Sequence, residues 1–250
     1  MGYHNTHGFK TKFFLSPFLD PKIEEASRWS GGQDGRRGRP RSNPAKEGKE
    51  GDEITMDKDL DQRIQTLAQW LSEARYPVVF TGAGISTESG LPDFRGPDGV
   101  WTRRDKGLPP KPTAVPWHEV DPNPGHLAIV ELQRLGKLRF LISQNIDNLH
   151  LKSGIDPDRI AELHGNLTKQ RCRRCGMQFE KSDATRCPDC GGELKTSVVN
   201  FGESLPEKDL MLSFEHSRKC DLFLSVGSSL TVTPAALMPR EAIQAGAKLV

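Results

Sequence analysis

The chain has 250 residues, 35% of them hydrophobic and 27% charged, which fits a soluble globular protein carrying some sequence that cannot fold. The formal net charge is +2; residues 1–55 alone hold ten Lys and Arg against eight Asp and Glu, so residues 56–250 are neutral and give no electrostatic footprint for nucleic acid. No apolar run approaches the roughly 20 residues a membrane-spanning helix requires, and five cysteines, four of them in two C-x2-C pairs, exclude a secreted disulfide scaffold and imply a reducing compartment.

Residues 1–55 stand apart from the rest. GGQDGRRGRPRSNPAKEGKEGDE at 31–53 has no aliphatic side chain larger than Ala, so it cannot bury enough surface to offset ordering entropy and is expected to be disordered. KTKFFLSPFL at 10–19 is apolar, but it is short and lacks a small-residue cleavage site, unlike a signal peptide. Met56 falls where structured sequence begins, as it would if it were the true start. From Asp57, Leu60, Ile64, Leu67, Ala68 and Leu71 recur at helical spacing, with Asp57 as N-cap and Pro77 as terminator. PVVFTGAG (77–84) predicts a short buried strand running into a Gly-rich turn. A second helix starts at Asn123-Pro124 and stops at Gly136. LRFLIS (138–143) and DLFLSVG (221–227) are further buried strands, a helical stretch covers 234–245, and AKLV (247–250) opens another strand. Strands alternating with helices indicate an α/β fold with a doubly wound, Rossmann-like parallel sheet.

Cys172, Cys175, Cys187 and Cys190 have the spacing of one zinc site. Each C-x2-C pair places two thiolates on a tight knuckle, and Gly176 and Gly191 follow where such a knuckle needs positive φ. A redox dithiol needs only one pair. Four thiolates leave no open position for water or substrate, so the metal is expected to be structural. Nucleic-acid-binding ribbons share the spacing, but Glu180, Asp183, Asp189 and Glu193 offset Arg171, Arg173 and Arg174.

Three clusters close on strand ends. Gly82-Ala83-Gly84 follows the first strand and leads into a helix, an arrangement in which backbone N–H groups and the helix dipole face a diphosphate. Taken alone, this triplet is also an ordinary tight turn. Gln144-Asn145-Ile146-Asp147 ends the second strand. Gly227-Ser228-Ser229 follows a third and precedes a helix. Ligands of open α/β sheets bind beyond the carboxyl ends of the strands, and Asn and Asp there suit the hydroxyls of a ribose.

GAGISTESGLPDFRG (82–96), QNIDNLH (144–150), ELHGN (162–166), the two C-x2-C pairs, VVNFGESLP (198–206) and GSSLTVTPAA (227–236), in this order, resemble the sirtuins, the NAD-dependent protein-lysine deacylases. The resemblance runs from about residue 57 to the end. It implies a Rossmann-like domain over 56–166 and 198–250, with a small zinc-ribbon and helical module, the ribbon at 167–197, inserted beside it. It implies NAD as co-substrate, held by Gly82, Ala83, Gly84, Asp93, Phe94, Arg95, Gln144, Asn145, Asp147, Gly227, Ser228 and Ser229, and one structural Zn2+. Phe94 would cover the nicotinamide ribose, and His164 would be the general base, with Asn145 and Asp147 as its catalytic partners. Val199, Phe201, Gly202 and Glu203 would form the strand and tunnel that take an acyl-lysine protein or peptide by strand addition. In the family's reaction the acyl oxygen attacks the anomeric carbon and expels nicotinamide, and a base-activated ribose hydroxyl captures the acyl carbon. Deacylated lysine and O-acyl-ADP-ribose result. A neutral His suits the base. His150, Asn148 and Cys220 read as structural, and Trp101 as packing for the cofactor loop. Protein ADP-ribosyltransferase and non-catalytic NAD or zinc-ribbon adaptor are the alternatives on the same scaffold.

RGPDGVWT (95–102) resembles most the branch that includes the nuclear, chromatin-acting sirtuins. The acidic-acyl branch uses a Tyr-x-x-Arg pair, and neither Tyr3 nor Tyr76 is placed to supply it, so neutral acyl groups are expected. Family members continue beyond AKLV with further adenosine contacts and a last helix, so the chain is expected to be a fragment. The whole pattern implies an intracellular protein, cytoplasmic or, in a eukaryote, nuclear.

Overall fold

The computed structural model describes residues 50–113 and 116–250. The expectations for residues 1–49, disorder and the short apolar run among them, lie outside the described residues. Two units are distinguished, residues 1–72 and 73–250. In the first, helix α1 runs Glu50–Glu73. It begins seven residues before Asp57, so Asp57 is an interior residue and not the N-cap; no proline interrupts residues 50–56 to start the helix later. Exposed Arg63 and Asp59 pair across one turn at 3.9 Å.

The second unit is built on a parallel sheet. In chain order it contains β1 (Pro77–Thr81), a 3-10 helix (Ala83–Ser89), α2 (Val100–Asp105), α3 (Pro124–Arg134), β2 (Phe140–Ser143), α4 (Leu149–Ser153) and β3 (Ile160–Glu162). Then come β4 (Lys169–Cys172), β5 (Gln178–Glu180), β6 (Leu194–Thr196), α5 (Glu207–Lys219), β7 (Leu222–Val226), α6 (Met238–Gln244) and β8 (Lys248–Leu249). The large sheet has the order β3-β2-β1-β7-β8, parallel throughout. Sequence order reverses between β1 and β7, which makes the space beyond their carboxyl ends the topological switch point. The inner strands read as continuous apolar runs because both faces are covered: Val78, Phe80, Phe140, Ile142, Leu163 and Phe223 share one core with Ala235, Met238 and Ala242, and Val79 and Leu141 on the opposite face are buried as well.

Local chemistry sets the boundaries. Asn123 caps α3, accepting from Gly125 N and His126 N while the His126 ring accepts from Asn123 N, and Pro124 takes the first helical position. Gly136 ends the helix region at φ +69. The stretch expected to be helical from Pro234 begins as a 3-10 turn, Ala235–Leu237, and continues as α6. β4, β5 and β6 form a separate antiparallel sheet with β4 in the middle.

Candidate functional site

Every strand of the parallel sheet from β3 to β7 delivers chemistry at its carboxyl end. After β1 comes Gly82-Ala83-Gly84; after β2, Gln144 to Asp147; after β3, His164; after β7, Gly227 to Ser229. The two glycine turns touch. Gly84 N donates to Gly227 O at 2.8 Å, and Gly82 N to Val226 O at 3.0 Å. A Cβ on Gly84 would meet Gly227 O at 2.7 Å, and one on Gly227, at φ +66, would meet Ile85 N at 2.2 Å. Neither position tolerates a side chain. The expectation of an α-helix dipole behind the first turn needs correction. The helix there is a seven-residue 3-10 helix, and the Gly84 amide is spent on Gly227. Likewise Ser228 and Ser229 do not lead directly into a helix, because residues 230–234 intervene before the next helical turn.

All the residues singled out for cofactor and substrate line one cavity of about 550 Å³. The polar floor is ordered by simple donor and acceptor accounting. Asp147 can only accept, so the Ser86 hydroxyl, 2.7 Å from its Oδ2, has committed its proton. The Ser86 oxygen therefore accepts from Asn145 Nδ2 at 3.2 Å. That fixes the Asn145 amide and leaves its buried Oδ1 without a partner among the described residues. His164 Nδ1 lies 2.8 Å from the Gln144 carbonyl, which also only accepts. Nδ1 thus carries the ring proton and Nε2 presents its lone pair. Burial pushes the His164 pKa below its ordinary value and the Gln144 carbonyl pulls the other way, the net being downward. The ring is neutral near pH 7.

The aromatic wall joins residues 94–101 to the turn that carries Phe201. Phe94 and Trp101 stand 5.3 Å apart, Trp101 and Phe201 5.8 Å, and the Arg95 guanidinium sits 4.1 Å over the Trp101 ring. Arg95 also reaches Ser229 Oγ at 3.3 Å. Trp101 packs the loop as expected, and it lines the cavity as well. Asp93 accepts from Gly96 N at 3.1 Å and shapes the same loop. Gln144 Nε2 donates to Ser228 Oγ at 2.7 Å, tying the second strand end to the fourth.

Val199, Phe201, Gly202 and Glu203 are not in a strand. Val199 N donates to His164 O at 2.9 Å, and the chain then turns at Asn200–Glu203, with Gly202 at φ +85. The turn is closed by Glu203. Its carboxylate accepts from Lys195 Nζ at 2.5 Å and from Asn200 N at 3.2 Å. Lys195 holds the Glu203 pKa down to about 2. This pair fastens the turn to β6 of the cysteine-bearing sheet. Phe201 is 79% exposed.

The four cysteine sulfurs lie within 4.8 Å of one another, with Cys172 and Cys190 3.5 Å apart and Cys175 and Cys187 3.7 Å apart. Four sulfurs about 2.3 Å from one zinc ion would stand about 3.8 Å from each other, so the set fits a tetrahedral ion. Gly176 and Gly191 adopt φ +75 and +70. Arg174 N and Cys175 N point at Cys172 Sγ at 3.3 and 3.5 Å, which favours the thiolate. The cluster shares no residue with the cavity.

Sequence reasoning did not pick out Ser86, Leu91, Trp117 or Leu205, all of which line the cavity. Ser86 lies inside the GAGIS run, and its position two residues past the glycines was the available signal. Trp117 has none: it is brought in by a short 3-10 helix, Trp117–Glu119, with no motif around it.

Three comparisons bear on the chain. The model of the Sir2 family matches residues 82–115 and 109–234. The NAD-dependent protein deacetylase SRT1 of Arabidopsis thaliana is 39% identical over 203 residues, 76% of this chain and 43% of that protein, so the chain spans less than half of this relative. The NAD-dependent protein deacetylase 1 of Bradyrhizobium diazoefficiens is 39% identical over 218 residues, 77% of this chain and 85% of that protein. A solved Sir2 complex with a p53 peptide and NAD+ matches with a TM-score of 0.59 at 33% identity, covering 74% of this chain and 84% of that one.

Proposed function

The chain belongs to the Sir2 family, and from that premise we propose that it is an NAD-dependent protein-lysine deacylase acting on acetyl or other neutral acyl groups. One observation carries the reading. A neutral His164 with a free Nε2 and a buried Asn145 Oδ1 with no protein partner meet in one cavity, at the switch point of a parallel sheet. The two glycine turns, packed too closely on one another for any side chain, line the cavity beside Arg95, and a ribose diphosphate lying across them fits that lining. Bound NAD supplies an electrophilic ribose carbon and a leaving nicotinamide.

The chain's own residues do the rest. Gly82 to Gly84 and Gly227 to Ser229 give close backbone approach to the diphosphate and adenosine halves, and Arg95 adds positive charge. Gln144, Asn145 and Asp147 orient the nicotinamide side, with Ser86 holding the last two in place. Phe94, with Asp93 shaping its loop, covers the reacting carbon and excludes water. His164 Nε2 takes a proton from a ribose hydroxyl, its charge stabilised through Nδ1–H on the Gln144 carbonyl. Val199 to Glu203 receive the acyl-lysine segment by strand addition, the Lys195–Glu203 pair fixing their turn. Zinc bound at Cys172, Cys175, Cys187 and Cys190 staples the small sheet that carries Lys195 and takes no part in the proton transfers.

Among the described residues no helix is long and apolar enough to cross a membrane, and we place the protein in the reducing interior of the cell, with acyl-lysine proteins as its partners and no nucleic acid. Mass spectrometry of the products from NAD and an acetylated peptide tests the reading. O-acetyl-ADP-ribose with free nicotinamide is the expected result. ADP-ribose attached to protein, without deacetylated peptide, would assign the chain to ADP-ribosyl transfer instead.

A further inference from the structure

Behind the cleft lies a group of buried polar side chains that the proposed reaction does not use. His126, His150, Thr81 and Ser143 are each at most 3% exposed. Polar groups buried together are costly unless their donors and acceptors are matched, so the sense of each hydrogen bond follows from the next. Thr81 Oγ1 donates to Ser143 Oγ at 3.1 Å. This spends the only hydroxyl proton, so the 2.9 Å contact between Thr81 Oγ1 and His150 Nε2 is an N–H of His150 donating to the threonine oxygen. His150 is therefore the Nε2–H tautomer, with Nδ1 a bare acceptor. His126 Nδ1 accepts from the Asn123 amide at 3.4 Å, so its Nε2 carries the proton. Neither His150 Nδ1 nor His126 Nε2 has a partner among the described residues, and the two rings lie 4.9 Å apart. Their senses, acceptor and donor, are complementary.

This group ends on the turn that carries the site. Ser143 Oγ, turned by Thr81, accepts the Asn145 amide at 3.1 Å. The Thr81 carbonyl accepts the Gln144 amide at 3.0 Å. Thr81 thus holds two consecutive residues of the turn, one through its side chain and one through its backbone. The Gln144 carbonyl in turn keeps the His164 proton on Nδ1.

We propose that His150 and Thr81 are positioning residues: His150 orients the Thr81 hydroxyl, the hydroxyl fixes the Ser143–Asn145 turn, and the turn fixes the His164 tautomer and the Asn145 amide. The catalytic consequence rests on the deacylase reading; the tautomer does not. Neither residue lines the cavity, so loss of a substrate contact is not an alternative cause.

Thr81→Val removes the hydroxyl at nearly constant shape, and Thr81→Ser restores it. The zinc-loaded protein, without NAD, is examined by nitrogen-15 NMR of the His164 ring. Wild type and Thr81→Ser show one tautomer, protonated on Nδ1; Thr81→Val shows a mixture, its two ring nitrogens moving toward each other. With NAD and acetylated peptide, kcat falls about tenfold in Thr81→Val while the KM values move less than about twofold, and Thr81→Ser stays within about twofold of wild type. Ser143→Ala breaks the same chain one link further on and gives the same tautomer mixture should Thr81→Val fail to fold. A single Nδ1–H tautomer in either folded variant overturns the proposal, and so does a mixed tautomer with unchanged kcat. A mixed tautomer in variants of a protein whose wild type deacetylates nothing supports the positioning role and sinks the deacylase reading instead.

Discussion

Acidification should destabilise this protein through His150. The ring is 3% exposed, and burial, together with the neighbouring His126, pushes its pKa down to about 3. In the unfolded chain a histidine takes up its proton near pH 6.5. Between those values the unfolded chain binds a proton that the folded chain refuses. Stability from this group is therefore fully present above about pH 6.5 and is lost as pH falls toward about 3. At about pH 5 the unfolded imidazole lies about 1.5 units below its pKa, and the folded one is still neutral. At about 1.4 kcal/mol per unit, the loss by then is about 2 kcal/mol. That figure changes little with the folded value, provided it lies well below 5. His126 and His164, both lowered chiefly by burial, add to the loss, and Asp209, raised by burial, opposes it at lower pH. A His150→Gln variant isolates the one group, because the others titrate in both proteins. Urea unfolding followed by tryptophan fluorescence, at about pH 7.5 and about pH 5 with zinc present, reads the difference. The variant should be the weaker protein at the higher pH, yet lose about 2 kcal/mol less than wild type on acidification. Equal losses in the two proteins would refute the assignment of His150 as buried and neutral.

Replacing His164 with Ala should lower deacetylation by about 10²- to 10⁴-fold while calorimetry still shows NAD binding; loss of both would point to damage of the fold rather than of the base. Stripping the four cysteines with a chelator should change the far-UV spectrum of the small sheet and abolish activity together, and survival of both after zinc is gone would remove its stapling role. Glu203→Gln should raise the peptide KM about two- to fivefold and leave kcat and the NAD KM alone, since it breaks a partly exposed pair that ties the peptide turn to β6; a fall in kcat instead would place Glu203 in the chemistry. Acetyl-peptide should turn over faster than succinyl-peptide, because among the described residues the cavity lining includes no tyrosine and one cation, Arg95, which lies over Trp101 and reaches Ser229; the reverse order would sink the neutral-acyl assignment.

The parallel sheet was legible because its inner strands are buried on both faces and read as unbroken apolar runs, as at Val78 to Phe80 and Phe140 to Ile142. The cysteine cluster was legible because zinc spacing is a local constraint. Helix α3 was legible from its Asn-Pro start and its glycine stop. What escaped was set by distant partners. β3 has only three residues and owes its state to pairing with β2. The 3-10 helix after Gly82 arises because the Gly84 amide bonds to Gly227, on a strand far along the chain. Periodicity carries no trace of such a contact. At the site, His164 and Asn145 were singled out by the motifs they sit in, and both line the cavity. Which His164 nitrogen holds the proton, and which way the Asn145 amide is turned, required the Gln144 carbonyl and the Ser86 hydroxyl in place. His150 read as structural, and it is buried; its hydrogen to Thr81 shows where that burial leads.

The contact between the two glycine turns joins residues separated by most of the second unit. Gly84 has no acceptor until Gly227 exists, and β1 has an open edge until β7 docks beside it. At about 5–20 residues per second, a ribosome needs roughly ten seconds or more to travel from one turn to the other. In that interval the hydrophobic strand PVVFT is paired on neither side until β2 is made, and on one side only until β7 follows. The central position of β7 that builds the switch point therefore also leaves an inner strand edge open until late in synthesis.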